Sequence, residues 1–176
     1  MSILILNRQS EVRVDLAGAR RFALKLECAL RLRDRKFNVC FVSDREIRKL
    51  NAAYRGKPVS TDVLSFPWQE GNGKRSKIAA DGFDRFLGDI IISARTARRN
   101  ARAEGHSTRT EISWLILHGV LHLLGYNHET DSGEMTALEL SLREKLNGRA
   151  RSKHPERAGK QGMHRGPARR ANRRQV

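Results

Sequence analysis

Hydrophobic positions change period repeatedly along this 176-residue chain, and each change marks an element. Ile3 to Leu6 form a short apolar run that reads as a buried strand, with Val12 to Val14 as its continuation or as the connection that follows. From Leu16 to Leu32 the set Ala19, Phe22, Ala23, Leu26, Ala29 and Leu30 recurs at helical spacing, and Arg20, Arg21, Lys25, Arg31 and Arg33 fall on the remaining face. Phe37 to Val42 is rich in β-formers and predicts a second strand. Ser43-Asp44-Arg45-Glu46 has the form of a capping box. It opens a helix through Ile47, Leu50 and Tyr54 that Gly56 and Pro58 stop.

Thr61 to Pro67 reads as a short strand closed by proline, followed by a polar, glycine-containing stretch from Trp68 to Asp84 with the composition of a mobile loop. Phe86 to Ile92 predicts a fourth strand, and Ser93 then caps a basic helix carrying Arg95, Arg98, Arg99 and Arg102. Thr108-Arg109-Thr110-Glu111 again resembles a capping box. The helix it opens, apolar from Ile112 to Leu117 and from Val120 to Leu124, is the best candidate for the central buried element. Asp131 starts a last helix with Met135, Leu138, Leu142 and Leu146 on one stripe and Gly148 after it. Strands interleaved with helices in this way give a single α+β (α/β) domain over residues 1–148.

Past Gly148 the hydrophobic content collapses, and residues 149–176 read as a disordered, basic tail. The net charge of +16 is unevenly spread: the tail holds ten Lys or Arg against the single Glu156, leaving +7 for residues 1–148. Such a balance favours a polyanionic partner, because neutralising phosphates releases counterions. The tail by itself is equally a solvated, non-specific appendage. Cys28 and Cys40 lack C-x-x-C spacing and read as reduced core thiols of a cytoplasmic protein. The apolar run at the start is too short for a signal peptide or a membrane span, so no membrane partner is expected.

Candidate chemistry concentrates in His118-Gly119-Val120-Leu121-His122-Leu123-Leu124-Gly125-Tyr126-Asn127-His128. Residues i and i+4 share one helix face, so His118 and His122 can reach one ion together. Gly125 can take a left-handed conformation, end the helix and let the chain return with His128 from a third direction. Three neutral nitrogens and an open fourth position describe a catalytic zinc site, one ion per chain. A lone histidine on an apolar helix is usually a core residue, but three of the four histidines outside the tail fall in this motif. The spacing matches H-x-x-x-H-x-x-G-x-x-H of metalloproteases, except that Gly119 stands where their general-base glutamate would be. That counts against peptide hydrolysis, and the positive charge counts for a phosphodiester. Phosphodiester cleavage wants a cation near the oxygens that gain charge, which Arg55 could supply, although in isolation Arg55 is an ordinary surface arginine.

Three segments together resemble the YbeY family, a bacterial ribosomal-RNA maturation factor and single-strand-specific endoribonuclease: Leu50 to Gly56, Thr61 to Pro67 and His118 to His128. Leu87-Gly88-Asp89-Ile90 and the Met135 to Glu139 helix also follow that pattern, so the resemblance spans roughly residues 1–147. It implies a mixed four-stranded sheet packed with about five helices, a zinc-type ion on His118, His122 and His128, and a required Arg55 in the same cleft. It also implies trimming of 16S rRNA, work with the small ribosomal subunit in quality control, and association with an Era-type GTPase. Two features depart from the pattern: Asn127 replaces the aspartate usual before the third histidine, which removes a charge from the metal's surroundings, and the basic tail lies outside it. The general base stays open among Asp62, Asp89, Glu129 and hydroxide on the metal, and the ribose 2′-OH is an alternative nucleophile. The competing readings are an RNA-binding assembly factor with a structural metal and a metallopeptidase whose base comes from elsewhere.

Overall fold

The structure is a computed structural model and describes residues 3–68, 85–128 and 130–146. The first strand, β1 (Leu4–Asn7), leads to helix α1 (Leu16–Ala29); β2 (Lys36–Val42) leads to α2 (Asp44–Arg55). Two strands follow, β3 (Val63–Pro67) and β4 (Phe86–Ser93), and then three helices, α3 (Ala94–Ala103), α4 (Thr108–Leu123) and α5 (Glu134–Leu146). The strands form one sheet in the order β1-β2-β4-β3; β1/β2 and β2/β4 are parallel and β3/β4 antiparallel. The α+β class, the mixed four-stranded sheet and the five helices are therefore as expected. Among the described residues no helix is long and apolar enough to cross a membrane.

Strand alternation divides the core in two. Val39, Phe41, Ile90 and Ile92 face α1 and α4 in the larger cluster, whereas Cys40, Val42, Ile91, Leu64 and Phe66 face Ile47 and Leu50 of α2. α4 is apolar around most of its circumference and has ten buried residues, so it is the central helix.

Several boundaries differ from those expected. Of the two readings of Val12 to Val14, the connection is the one found, the Gln9 side chain holding both the amide and the carbonyl of Val12. α1 stops at Ala29, after which Arg31 and Arg33 adopt φ of 51° and 57° and fold the buried Leu32 back onto the core. The cap of α4 is Ser107 rather than Thr108: its hydroxyl accepts from the Thr110 amide at 3.0 Å. Asp131 accepts from the Met135 amide at 3.0 Å, but the helix itself begins at Glu134. Cys28 is exposed on α1 and so is no core thiol, whereas Cys40 is half-buried against the cluster under α2. The Ser43 and Ser93 caps are as expected. Residues 69–84 of the predicted loop and the predicted tail over 149–176 lie outside the described residues.

Candidate metal centre

The carboxyl end of α4 folds as a Schellman turn. Leu124 is the C-cap, Gly125 takes φ of 91°, and the Gly125 and Tyr126 amides donate to the carbonyls of His122 and Leu121. A side chain at position 125 would meet no atom within 4 Å, so the glycine answers a backbone requirement rather than crowding. The turn brings His128 back over the helix. One ligand atom from each of His118, His122 and His128 lies within 4.8 Å of the others, with His118 and His122 half-buried and His128 exposed. Ring centroids are 4.6, 5.5 and 5.3 Å apart.

Protons on this cluster are assigned by the groups around it. His118 directs Nδ1 at the Glu139 carboxylate at 3.1 Å, and the Tyr126 backbone accepts from the His122 ring. The two Nε2 atoms lie 3.0 Å from each other. Burial, followed by the charges of His118 and His128, pushes the His122 pKa down, which keeps the ring neutral and able to donate. Three imidazole nitrogens gathered this closely form a donor set that fits a metal ion.

Glu139 comes from α5 and is buried. Burial alone would raise its pKa, but the His118 hydrogen bond and the adjacent Arg143 outweigh that and hold it below the usual carboxylate range. Arg143 bonds the other carboxylate oxygen and stacks its guanidinium 4.3 Å over Trp114. A carboxylate behind an imidazole fixes its tautomer and orientation, and losing it typically weakens metal binding about 10- to 100-fold. Glu139→Gln is expected to weaken metal affinity by that factor in a chelator competition, with the apo protein melting close to apo wild type; unchanged affinity would remove Glu139 from the site. Sequence reasoning missed this residue. Its signal was an acid four residues after Met135, on the stripe that otherwise carries Met135, Leu138, Leu142 and Leu146.

The remaining candidates separate. Arg55 ends α2, is exposed, and lies close enough to His122 for its charge to lower that pKa. Asp62 accepts from the Val63 amide at 2.8 Å, from Thr61 and from Asn100, so it anchors the start of β3. Asp89 accepts from Asn38 at 2.9 Å and, by alternation with Ile90, points to the α2 face, away from α4. Glu129 lies outside the described residues. The Asn127 carbonyl accepts the Thr130 and Asp131 amides in the turn that leads towards α5.

A second group, Glu104, His106 and Glu111, is also close enough to hold an ion. Its carboxylates approach opposite ring nitrogens, Glu111 at 2.7 Å on Nε2 and Glu104 at 4.0 Å on Nδ1, which makes His106 a bridge between them rather than a ligand beside them.

Gly119 has a structural reason. A Cβ there would lie 2.8 to 3.1 Å from three atoms of Ile90, fully buried on β4. The position where a metalloprotease carries its glutamate is thus closed by the sheet, so no general base can stand there.

The family described as Endoribonuclease YbeY matches residues 5–147. The chain is similar to Endoribonuclease YbeY of Syntrophus aciditrophicus, 40% identical over 78% of this chain and 82% of that one. It is likewise similar to that of Nautilia profundicola, 45% identical over 66% of this chain and 76% of that one. The fold is similar to the solution structure of a Thermotoga maritima protein, with a TM-score of 0.57 and 28% identity, covering 92% of this chain and 99% of that one.

Proposed function

Since the chain belongs to the Endoribonuclease YbeY family, we propose that it is a metal-dependent, single-strand-specific endoribonuclease that matures the 3′ end of 16S rRNA. His118, His122 and His128 hold one zinc ion, three neutral imidazoles being a donor set that suits it. The observation that carries this reading is the gathering of His118, His122 and His128 within 4.8 Å, with the Nε2 atoms of His118 and His122 3.0 Å apart, Glu139 behind His118 and Arg55 nearby. When bound, such an ion supplies Lewis-acid stabilisation of charge developing on a phosphoryl oxygen.

The chain's own residues do the rest. Arg55 offers a planar guanidinium fork that fits two non-bridging phosphate oxygens. Its place in the last turn of α2 suits a cation, because the helix end carries partial negative charge. Two exposed aromatics are braced by neighbouring rings: Tyr54 (70% exposed), next to Arg55 on α2, packs edge-on to Phe66 at 5.0 Å, and Trp68 (54% exposed) edge-on to Phe86 at 5.7 Å. Rings braced in this way offer stacking faces to unpaired bases, which a duplex cannot use. The small ribosomal subunit, an Era-type GTPase and a cytoplasmic setting complete the proposal on the family resemblance, with residues 1–148 as the working domain and 149–176 as a basic appendage.

Arg55→Ala tests the assignment of the cation. Cleavage of a single-stranded RNA is expected to fall about 10²- to 10³-fold in kcat, the usual cost of removing one donor to transition-state charge. Metal content and melting temperature should be those of wild type. Undiminished cleavage would refute the role given to Arg55.

A further inference from the structure

α3 is the most one-sided segment of the chain. It carries Arg95, Arg98, Arg99 and Arg102 and no acid in ten residues. Ala94, Thr96, Ala97 and Ala101 anchor it in the core, while Arg95, Arg99 and Arg102 are exposed. The buried alanines suffice to seat the helix, so folding does not call for four arginines. α2 begins beside it, because β2 and β4 are parallel and both helices leave from the same end of the sheet. Asp44 at the start of α2 accepts from Ser93 and from Thr96 (3.0 Å), tying the two helix starts together. The exposed face of α2 adds Arg45 and Lys49.

Little acid offsets this surface. Asp44 is occupied by the two hydroxyls, lies 3.9 Å from Arg95 and feels the charge of Arg99, though it pairs directly with Arg95 alone, and Glu46 lies 3.6 Å from Arg8. Among the described residues Arg45, Lys49, Arg99 and Arg102 have no ion-pair partner. α3 has no aromatic residue, and on α2 the single aromatic is Tyr54, at the far end beside Arg55. Cations without stacking rings read phosphates rather than unpaired bases. The twelve residues of α2 span about 18 Å, the distance over which a helical strand places about five phosphates.

We infer that the α2–α3 surface, with Arg45, Lys49, Arg99 and Arg102 as its free cations, docks the phosphate backbone of an RNA helix that adjoins the single-stranded segment lying at the histidines. The inference rests on the endoribonuclease reading and adds a substrate architecture to it: a single strand next to a duplex. An A-form helix suits the surface, since its deep major groove hides base edges and leaves phosphates and 2′-hydroxyls to be recognised by shape.

The test compares two RNAs that share one fluorescent single-stranded tail, one of them joined to a hairpin. Binding by anisotropy across a salt series, together with kcat and KM, would be measured on the full-length, metal-loaded wild type. The same measurements would be made on the variant Arg45→Gln/Lys49→Gln/Arg99→Gln/Arg102→Gln. For wild type, the hairpin should lower Kd and KM about 10- to 100-fold and steepen the salt dependence. In the variant that advantage should vanish and the slope should drop by about 3 to 4, near 0.9 for each phosphate no longer neutralised, with kcat and the KM for the bare tail unchanged. A charge-preserving counterpart, Arg45→Lys/Arg99→Lys/Arg102→Lys, should keep the advantage. A hairpin preference that is absent in wild type, or equal in both proteins, overturns the inference. A wild type that grips the hairpin but cuts neither RNA would instead sink the endoribonuclease reading and leave the docking surface standing.

Discussion

His122→Ala is expected to lose both its metal and its RNA cleavage while keeping its fold. Two imidazoles, one of them on a turn beyond the helix, make a poor cage for a tetrahedral ion, and the loss removes the ion itself rather than one donor. Cleavage should therefore fall further than the roughly 10²- to 10³-fold expected from deleting a single stabilising group. The core does not depend on this ring: Val120, Leu121 and Leu123 around it are buried, and His122 is only half so. Metal stabilises only the state that binds it, so holo wild type should melt above the variant and apo wild type should match it. A variant melting well below apo wild type would make the histidine structural.

Gly119→Glu is the second large effect, and it falls on stability. Adding one carbon at position 119 already presses against three atoms of Ile90, a β-branched side chain with no exposed surface. Overpacking of this kind costs about 1–3 kcal/mol. For Gly119→Ala that cost is offset by about 1 kcal/mol of helix propensity, so a modest drop in melting temperature is expected. Glutamate brings in addition a carboxylate with no room and no partner, and the chain should fail to fold or be recovered as aggregate. A soluble Gly119→Glu protein with wild-type melting would mean that α4 does not lie on Ile90 as described.

Local order made much of this legible. The helical stripe of α1, the Ser43 and Ser93 caps, and the glycine that ends α4 before His128 are decided by residues within a turn or two of one another, and such patterns survive in sequence. Pairings made across the chain were not. Gly119 reads as a missing base until Ile90, 29 positions earlier, is found against it. Glu139 reads as one surface acid among several until α5 sets it behind His118. Asp62 and Asp89 looked like candidate bases because of the motifs they sit in, yet partners distant in sequence occupy their carboxylates, Asn100 of α3 on Asp62 and Asn38 of β2 on Asp89. Strand order was hidden for the same reason: β4 enters between β2 and β3, a pairing that no local period encodes.

The most direct test of the account is to strip the full-length protein with a chelator and titrate metal back while following cleavage of a single-stranded RNA. Cleavage should be absent from the apo protein and return in proportion to bound metal, reaching its plateau at about one ion per chain, and His122→Ala should stay inactive throughout. Apo protein that cleaves as fast as reloaded protein, or His122→Ala that cleaves like wild type, would contradict a catalytic centre at His118, His122 and His128.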